Sequence, residues 1–327
     1  MDRRTALKIA AASSALGWGG FAAANDKFPT HGMRMVVPYP PGGVTDLAGR
    51  VVADLLSKKY GQAVVVENKP GANGLIGLQY LASTKPDGYT IALGGLGSNV
   101  LPPATIRNLP LDIPNRFVAI AQVAEFINVL VVRADSPYKS VADLLQDGKK
   151  RELSYGTNGI GTSSHLATEF FATKTGLKML HVPYKGSSDI LVDVTSGRID
   201  FTFANLPAVA GMVSQGRLRA LAVTSKERSK QFPDVPTMIE SGVEDFNVTS
   251  WVGVYGPAGM PAAIVNQLSN DILEGLALPE FRERLERVNF QMAPLGAADW
   301  DRHNKAELER WSSIAKQAGI GSEFGKN

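Results

Sequence analysis

Residues 33–56 read MRMVVPYPPGGVTDLAGRVVADLL, and their order predicts a strand, a tight turn and a helix. The run 33–37 is short and apolar, and the prolines that follow it cannot continue a strand's hydrogen-bond ladder. From Val44 onward the apolar residues recur at helical spacing. Gly42 and Gly43 permit a turn in which successive N–H groups stay exposed.

This arrangement is typical of an anion site. The first turn of a helix leaves N–H groups unpaired and carries partial positive charge, so a strand, a glycine turn and a helix together favour a bound anion. We expect a small carboxylate to fit at residues 38–46. From this segment alone the alternative stays open that proline and glycine only connect a strand to a helix.

The composition fits a globular protein with a large core. The chain has 327 residues, 44% of them hydrophobic, which is enough for two domains. The absence of cysteine excludes a disulfide framework, a thiolate nucleophile and a cysteine-ligated metal.

The first 24 residues differ from the rest of the chain. Arg3, Arg4 and Lys8 precede a stretch of small and apolar residues, a pattern typical of an export signal cleaved near Ala24. The letters RRTALK are similar to a twin-arginine signal, and general secretory export stays open as an alternative. Without residues 1–24 the chain has 31 basic and 30 acidic residues, too balanced to attract nucleic acid. We therefore expect a periplasmic protein without a nucleic-acid partner.

Strands and helices alternate after the first helix. We predict strands at 63–66 and 90–93 and a helix at 75–82 between them, an order that implies a parallel sheet with right-handed crossovers. Ligands of such sheets bind beyond the carboxyl ends of the strands. The glycine-rich turns 38–46 and 94–99 both lie at such ends.

A second alternating set follows a proline-rich, aperiodic segment at 101–116. It begins with strands predicted at 117–123 and 129–133, where the chain could cross between domains. Polar loops at 156–164, 183–188 and 205–207 follow its later strands. We expect the segment from residue 250 onward, with its helices, to rejoin the first domain.

The chain resembles the tripartite tricarboxylate transporter substrate-binding receptors, also called the Bug family of periplasmic solute-binding proteins. The resemblance covers nearly the whole chain after the leader, because matching blocks occur in the family's order. These include PYPPGGVTD (38–46), VVVENKPGANG (64–74), SYGTNGIGTSSHL (154–166), HVPYKG (181–186) and WVGVYGPAGMP (251–261).

The resemblance implies an α/β fold of the two-lobed periplasmic binding protein type, similar to type II. Each lobe is expected to be a mostly parallel sheet flanked by helices, with two crossing strands as the hinge. We place lobe 1 at 25–124 and 250–327 and lobe 2 at 125–249. The expected function is capture of a small organic carboxylate between the lobes by a monomeric receptor. The expected partner is a membrane permease of the tripartite tricarboxylate type or, alternatively, a sensor protein.

The resemblance also implies a set of ligand-binding residues. In this sequence they are Tyr39, Gly42, Gly43, Thr45 and Asp46 in the first loop, Thr162 and Ser163 in the second, and Asn73, Ser98, Tyr184 and Asn205 around the rest of the pocket.

These loops contain no arginine, so recognition of a carboxylate has to rest on N–H groups, hydroxyls and water. Thr162 and Ser163 could equally cap the helix that follows them. Asp46 would repel a carboxylate, and we interpret it as a brace for its loop. Ordinary loop packing is an alternative for Tyr39 and Tyr184. Lys185 is interpreted as a solvated surface residue.

The sequence offers little support for an enzyme. Its four histidines show no metal-ligand spacing, and the hydrolase, phosphate-loop and dinucleotide fingerprints are absent. Glu67 and Asp200 could be imagined as an acid/base pair, but we interpret both as structural. We expect no metal, no cofactor and no catalytic residue. An exported enzyme acting on a small acid remains the minor alternative.

Overall fold

The computed structural model describes residues 28–159, 162–184, 186–317 and 321–323. The predicted export signal at 1–24 and the predicted surface residue Lys185 lie outside the described residues. The described residues from His31 onward pack as one unit.

The strands, in chain order, are β1 (Met33–Val37), β2 (Val64–Asn68), β3 (Thr90–Gly95), β4 (Ile106–Arg107), β5 (Phe117–Arg133), β6 (Leu153–Thr157), β7 (Met179–Pro183), β8 (Thr202–Asn205), β9 (Leu218–Val223), β10 (Thr249–Pro257), β11 (Gln291–Gly296) and β12 (Ser322–Glu323). The helices are α1 (Val44–Tyr60), α2 (Leu75–Ala82), α3 (Leu101–Thr105), α4 (Ile113–Arg116), α5 (Val141–Gly148), α6 (Ser163–Thr175), α7 (Ser187–Ser196), α8 (Leu206–Ser214), α9 (Ala262–Ala277), α10 (Pro279–Glu286) and α11 (Ala297–Gln317).

The predicted strand, turn and helix at the start of the fold are confirmed as β1, its turn and α1. Helix α1 lies close against β1 because Gly49 faces the strand: a Cβ atom at this position would lie 2.8 Å from Cγ2 of Val37. The helix ends at Gly61, whose φ of 65° is the left-handed conformation that glycine adopts most easily. The turn between β1 and α1 is thereby held at the carboxyl end of a buried strand.

The first part of the sheet has the strand order β11-β5-β10-β3-β1-β2. Strands β2, β1 and β3 are parallel, whereas β10 is antiparallel to both β3 and β5, and β11 is antiparallel to β5. Strands β10 and β11 are therefore antiparallel to the other four strands of this order. The aperiodic segment 101–116 contains α3, β4 and α4, which the sequence did not predict, and β11 was also not predicted.

Strand β5 is one continuous strand of 17 residues, so the prediction of two strands at 117–123 and 129–133 was wrong. The polar residues that suggested a connection between them are paired within the ladder. Glu125 lies opposite Trp251 of β10, and Asn128 lies opposite Asn205 of β8. Strand pairing of the backbone continues through these two polar positions, which the sequence alone would interrupt.

Beyond its midpoint β5 pairs with a second set of strands. Both β8 and β9 are antiparallel to it, β6 is parallel to β7, and a parallel bridge between Tyr155 and Phe201 connects β6 to the start of β8. The first residues of β5 thus belong to one set of strands and its last residues to another. The lobe boundaries near residues 124 and 250 stay a prediction.

Thr224 connects three passages of the chain next to the midpoint of β5. Its fully buried hydroxyl accepts the Asn128 backbone N–H at 3.0 Å and donates to the Val248 carbonyl at 2.6 Å. The Val248 N–H in turn donates to the Thr224 carbonyl at 2.9 Å. One side chain therefore links β5, the end of β9 and the entry to β10.

Candidate functional site

The turn between β1 and α1 is braced by Asp46. Its carboxylate is 1% exposed and accepts the backbone N–H of Gly42 at 2.9 Å, Nε of Arg50 at 2.8 Å and Nδ2 of Asn68 at 2.8 Å. Burial disfavours its charge, but these hydrogen bonds outweigh burial and hold the pKa of the carboxyl below its ordinary value of 3.8. Because both oxygens are engaged, Asp46 is a brace, in agreement with its interpretation from sequence.

Three further candidates from the first half of the chain come together beside this turn. The Tyr39 hydroxyl is hydrogen-bonded to Ser98, and burial raises the pKa of this phenol to about 12. Nδ2 of Asn73 donates to the Gly97 carbonyl at 3.3 Å. Ser98 is 1% exposed, and its hydroxyl donates to Asn99 at 2.7 Å. Ser98 therefore supports Tyr39 from within the loop cluster, whereas Tyr39 itself is half-buried.

Gly42, Gly43 and Thr45 lie at the start of α1. Gly42 has a φ of 80°, a conformation strained for any residue with a side chain, and Gly43 is the N-terminal cap in extended conformation. Because glycine has no side-chain oxygen, no side-chain cap closes this helix. The N–H groups of the first turn are thus left for another partner.

Thr162 and Ser163 begin α6 in the second half of the chain. The Thr162 hydroxyl donates to the Gly159 carbonyl at 2.8 Å and accepts the backbone N–H of His165 at 3.4 Å, so Thr162 caps the helix. Ser163 is half-buried and its hydroxyl lies 3.4 Å from Oδ1 of Asn205. These two candidates and Asn205 therefore lie together.

Two half-buried residues that the sequence did not single out complete this second cluster. Nδ2 of Asn158 donates to the Ser187 hydroxyl at 3.2 Å. Asn158 follows β6, and Ser187 begins α7 after the end of β7. Their positions after strand ends could have predicted them from the sequence. The starts of α6, α7 and α8 surround a cavity of about 10 Å³, room for roughly one water. It is lined by Asn158, Ser164, Ser187, Thr202 and Asn205 together with apolar residues of the neighbouring strand and helices.

The hydroxyl of Tyr184 is engaged elsewhere. It donates to Oδ2 of Asp193 on α7 at 2.7 Å, and burial, followed by this carboxylate, raises the pKa of the phenol to about 12. Tyr184 can offer its ring to a pocket, but its hydroxyl fastens the loop to α7.

Asp200 is a structural residue, as interpreted from sequence. It accepts the backbone N–H of Ser154 at 2.7 Å and is paired with Arg151. Burial disfavours the charge, but Arg151 and Ser154 hold the pKa of its carboxyl below the ordinary value. Among the residues that the structure describes, no group of three or more His, Asp or Glu could hold a metal ion. Within the same residues no helix is both long and apolar enough to cross a membrane.

The chain matches known proteins over most of its length. Residues 48–320 match the sequence model of the tripartite tricarboxylate transporter family receptor. A solved R. palustris protein with adipate is 35% identical, with a TM-score of 0.85 over 90% of this chain and 99% of that one. The periplasmic binding protein BugD is 31% identical, with a TM-score of 0.83 over 90% and 100% of the two chains. A Rhodopseudomonas palustris protein with bound malate, named MatC, is 25% identical, with a TM-score of 0.81 over 88% and 99%.

The match to the family sequence model covers most of the chain, and the α/β fold agrees with that of the solved relatives. This chain therefore belongs to the tripartite tricarboxylate transporter receptor family of periplasmic solute-binding proteins, as its sequence blocks indicated.

Proposed function

We propose that this receptor captures a small organic carboxylate between two lobes, 25–124 with 250–327 and 125–249, and delivers it to a tripartite tricarboxylate-type permease. The observation that carries the proposal is the chemistry of the two loop clusters. Each combines the N–H groups at the start of a helix with neutral side-chain donors. The acid in the first cluster, Asp46, already forms an ion pair with Arg50 and accepts the Gly42 N–H.

A bound carboxylate would take the place of a missing helix cap. At α1 the partners are the first-turn N–H groups after Gly42 and Gly43, with Thr45 and Tyr39 beside them. In the second cluster they are the half-buried groups of Ser163 and Asn205, with Thr162 holding the start of α6. Asn73, Ser98 and Tyr184 shape the loops. Charge-assisted hydrogen bonds to backbone N–H groups are about twice as strong as neutral ones, which suits a site without guanidinium.

The ligand class is supported by relatives. One solved relative was determined with adipate and another with bound malate, both small carboxylates. We propose the same class for this chain, together with a periplasmic location after cleavage of an export signal near Ala24 and a monomeric state. The lobes would close about a hinge formed by the chain segments at Asn128 and Val248. A ligand that contacts both lobes would then favour the closed state.

Titration calorimetry tests the proposal with adipate, malate, citrate, glutamate and nicotinate, each compared with its neutral amide. We expect at least one acid to bind and its amide to bind at least tenfold more weakly, because the amide lacks the charge. Native mass spectrometry of the purified protein should show a retained acid. Equal affinity for acids and amides, or chemical turnover of the bound acid, would contradict the proposal.

A further inference from the structure

A chain of hydrogen bonds runs beneath the second loop cluster and ends at His181. Nε2 of His181 lies 2.6 Å from Oγ1 of Thr157, the last residue of β6. The same oxygen accepts the backbone N–H of Gly159 at 3.2 Å. The Gly159 carbonyl accepts the hydroxyl of Thr162 at 2.8 Å, and Thr162 caps α6 by accepting the His165 N–H.

A contact between two histidine rings joins the two ends of this chain of hydrogen bonds. The ring of His165 lies 4.7 Å from the ring of His181, although the residues are on α6 and β7. His181 also stacks on Tyr155 of β6, with ring centres 5.0 Å apart. The start of α6 and the end of β6 are thus both tied to one half-buried imidazole.

The protonation state and the tautomer of His181 set the direction of its bond to Thr157. A neutral ring with its hydrogen on Nδ1 accepts the Thr157 hydroxyl at Nε2, while the same oxygen accepts the Gly159 N–H. A protonated ring donates from both nitrogens, so Thr157 has to accept and its hydrogen turns to the Gly159 carbonyl, 3.4 Å away. Protonation also places a positive charge next to the loop that follows β6. The described residues of this loop, 157–159 and 162–164, have no charged side chain.

The titratable groups around His181 lie on β6 and α6. Strand β6 contributes Tyr155, whose hydroxyl donates to Glu169, and α6 contributes His165 and Glu169. Burial lowers the pKa of His181 below 6.5, and Glu169 opposes this. Burial and His181 together lower the pKa of His165 to about 4. Both rings are therefore neutral at pH 7.

We propose that His181 is a positioning residue for carboxylate binding, which fixes the Gly159 amide through Thr157 and strengthens binding when it becomes protonated. The proposal rests on the receptor function proposed above. The added positive charge on His181 would attract the bound carboxylate over several ångströms of half-solvated protein. This attraction corresponds to about a fivefold gain in affinity for the carboxylate.

The test compares His181→Gln with wild type, using adipate and malate from pH 8 down to the pH at which an NMR titration shows the His181 ring protonated. Protonation of the ligand is common to both proteins, so the ratio of their affinities isolates His181. We expect the wild-type advantage to grow about fivefold as His181 becomes protonated. His31→Gln is the matched control, because His31 lies at the amino end of β1, stacked on Tyr89, and should give the wild-type profile. Identical profiles for His181→Gln and wild type would overturn the proposal.

A second pair of variants tests the connection through Thr157. Thr157→Val removes the hydroxyl at nearly constant shape and should weaken binding about tenfold at pH 8, whereas Thr157→Ser should stay within about twofold. Circular dichroism verifies that both variants fold. Equal binding by the two variants would contradict a positioning role.

A measurement without ligand separates this inference from the proposed function. In NMR titrations the Gly159 amide signal should move with the His181 ring in wild type and stay constant in His181→Gln. If it moves in this way and no acid binds at any pH, the receptor function fails while the coupling stands. If acids bind and the Gly159 signal does not follow His181, the coupling fails.

Discussion

The carboxylate of Asp46 accepts the backbone N–H of Gly42 at 2.9 Å, so an acid in the first turn of α1 fixes the turn that precedes it. The Asp46→Asn variant replaces one of the two acceptor oxygens by a donor, which then faces either the Gly42 and Arg50 donors or the Asn68 donor. We expect a loss of about 2 kcal/mol in the free energy of unfolding and about tenfold weaker adipate binding, measured by denaturation and calorimetry. Asp135→Asn, at an exposed ion pair with Arg133, should change neither.

The same contact has a definite pH dependence. The pKa of Asp46 is lower in the folded protein than its unfolded value of 3.8. The ionised carboxylate therefore stabilises the fold fully above pH 3.8, and this stabilisation is lost as the pH falls through the pKa of the folded state. The stability difference between wild type and Asp46→Asn should therefore shrink below pH 3.8. A difference that stays constant down to pH 2 would show that Asp46 does not act through its charge.

His165 should make the fold sensitive to mild acid. Its side chain is 9% exposed, and burial with the neighbouring His181 lowers its pKa from 6.5 to about 4. The neutral ring stabilises the fold above pH 6.5, and this contribution is lost as the pH falls through 4. Wild type should lose roughly 3 kcal/mol more than His165→Gln between pH 7 and pH 4, measured by urea unfolding. Parallel losses in the two proteins would contradict this.

Thr224 should be essential to the junction of β5, β9 and β10. Thr224→Val leaves the Asn128 N–H and the Val248 carbonyl without their hydroxyl partner in a fully buried place. We expect a loss of about 3 kcal/mol in unfolding free energy, and less than about 1 kcal/mol for Thr224→Ser. Thermal unfolding with matched scan rates measures both. Equal melting temperatures for the two variants would show that the hydroxyl contributes nothing.

Gly253 leaves room for the indole of Trp300. A Cβ atom at this position would lie 2.5 Å from Cζ2 of Trp300 and 2.7 Å from the Ala121 carbonyl. Gly253→Ala should therefore destabilise the fold by about 3 kcal/mol. Gly211→Ala is the control, because a Cβ there meets nothing within 4 Å and alanine favours the helix, so unfolding free energy should rise by up to about 1 kcal/mol.

Local patterns predicted local structure well. The strand, turn and helix around Gly42 followed from spacing and from turn residues, and the predicted helix 75–82 coincides with α2. The polar loops at strand ends were also predictable, because parallel strands bring their carboxyl ends to one edge.

Long-range partners were not predictable in the same way. The sequence shows that Glu125 and Asn128 are polar but not that β10 and β8 lie opposite them. Likewise 16 positions separate His165 from His181, and only the packing of α6 on β6 and β7 brings their rings together. The hydroxyl of Tyr184 turned to Asp193 because that carboxylate lies on the next helix, which no local pattern indicates.

The unbroken course of β5 has a consequence for protein engineering. Because one strand supplies hydrogen bonds to both groups of strands, neither half can be excised as an independent fragment without exposing an open sheet edge. Reporter fusions and circular permutations intended to build a biosensor should therefore leave 117–133 intact and use exposed connections such as the one at Gly259.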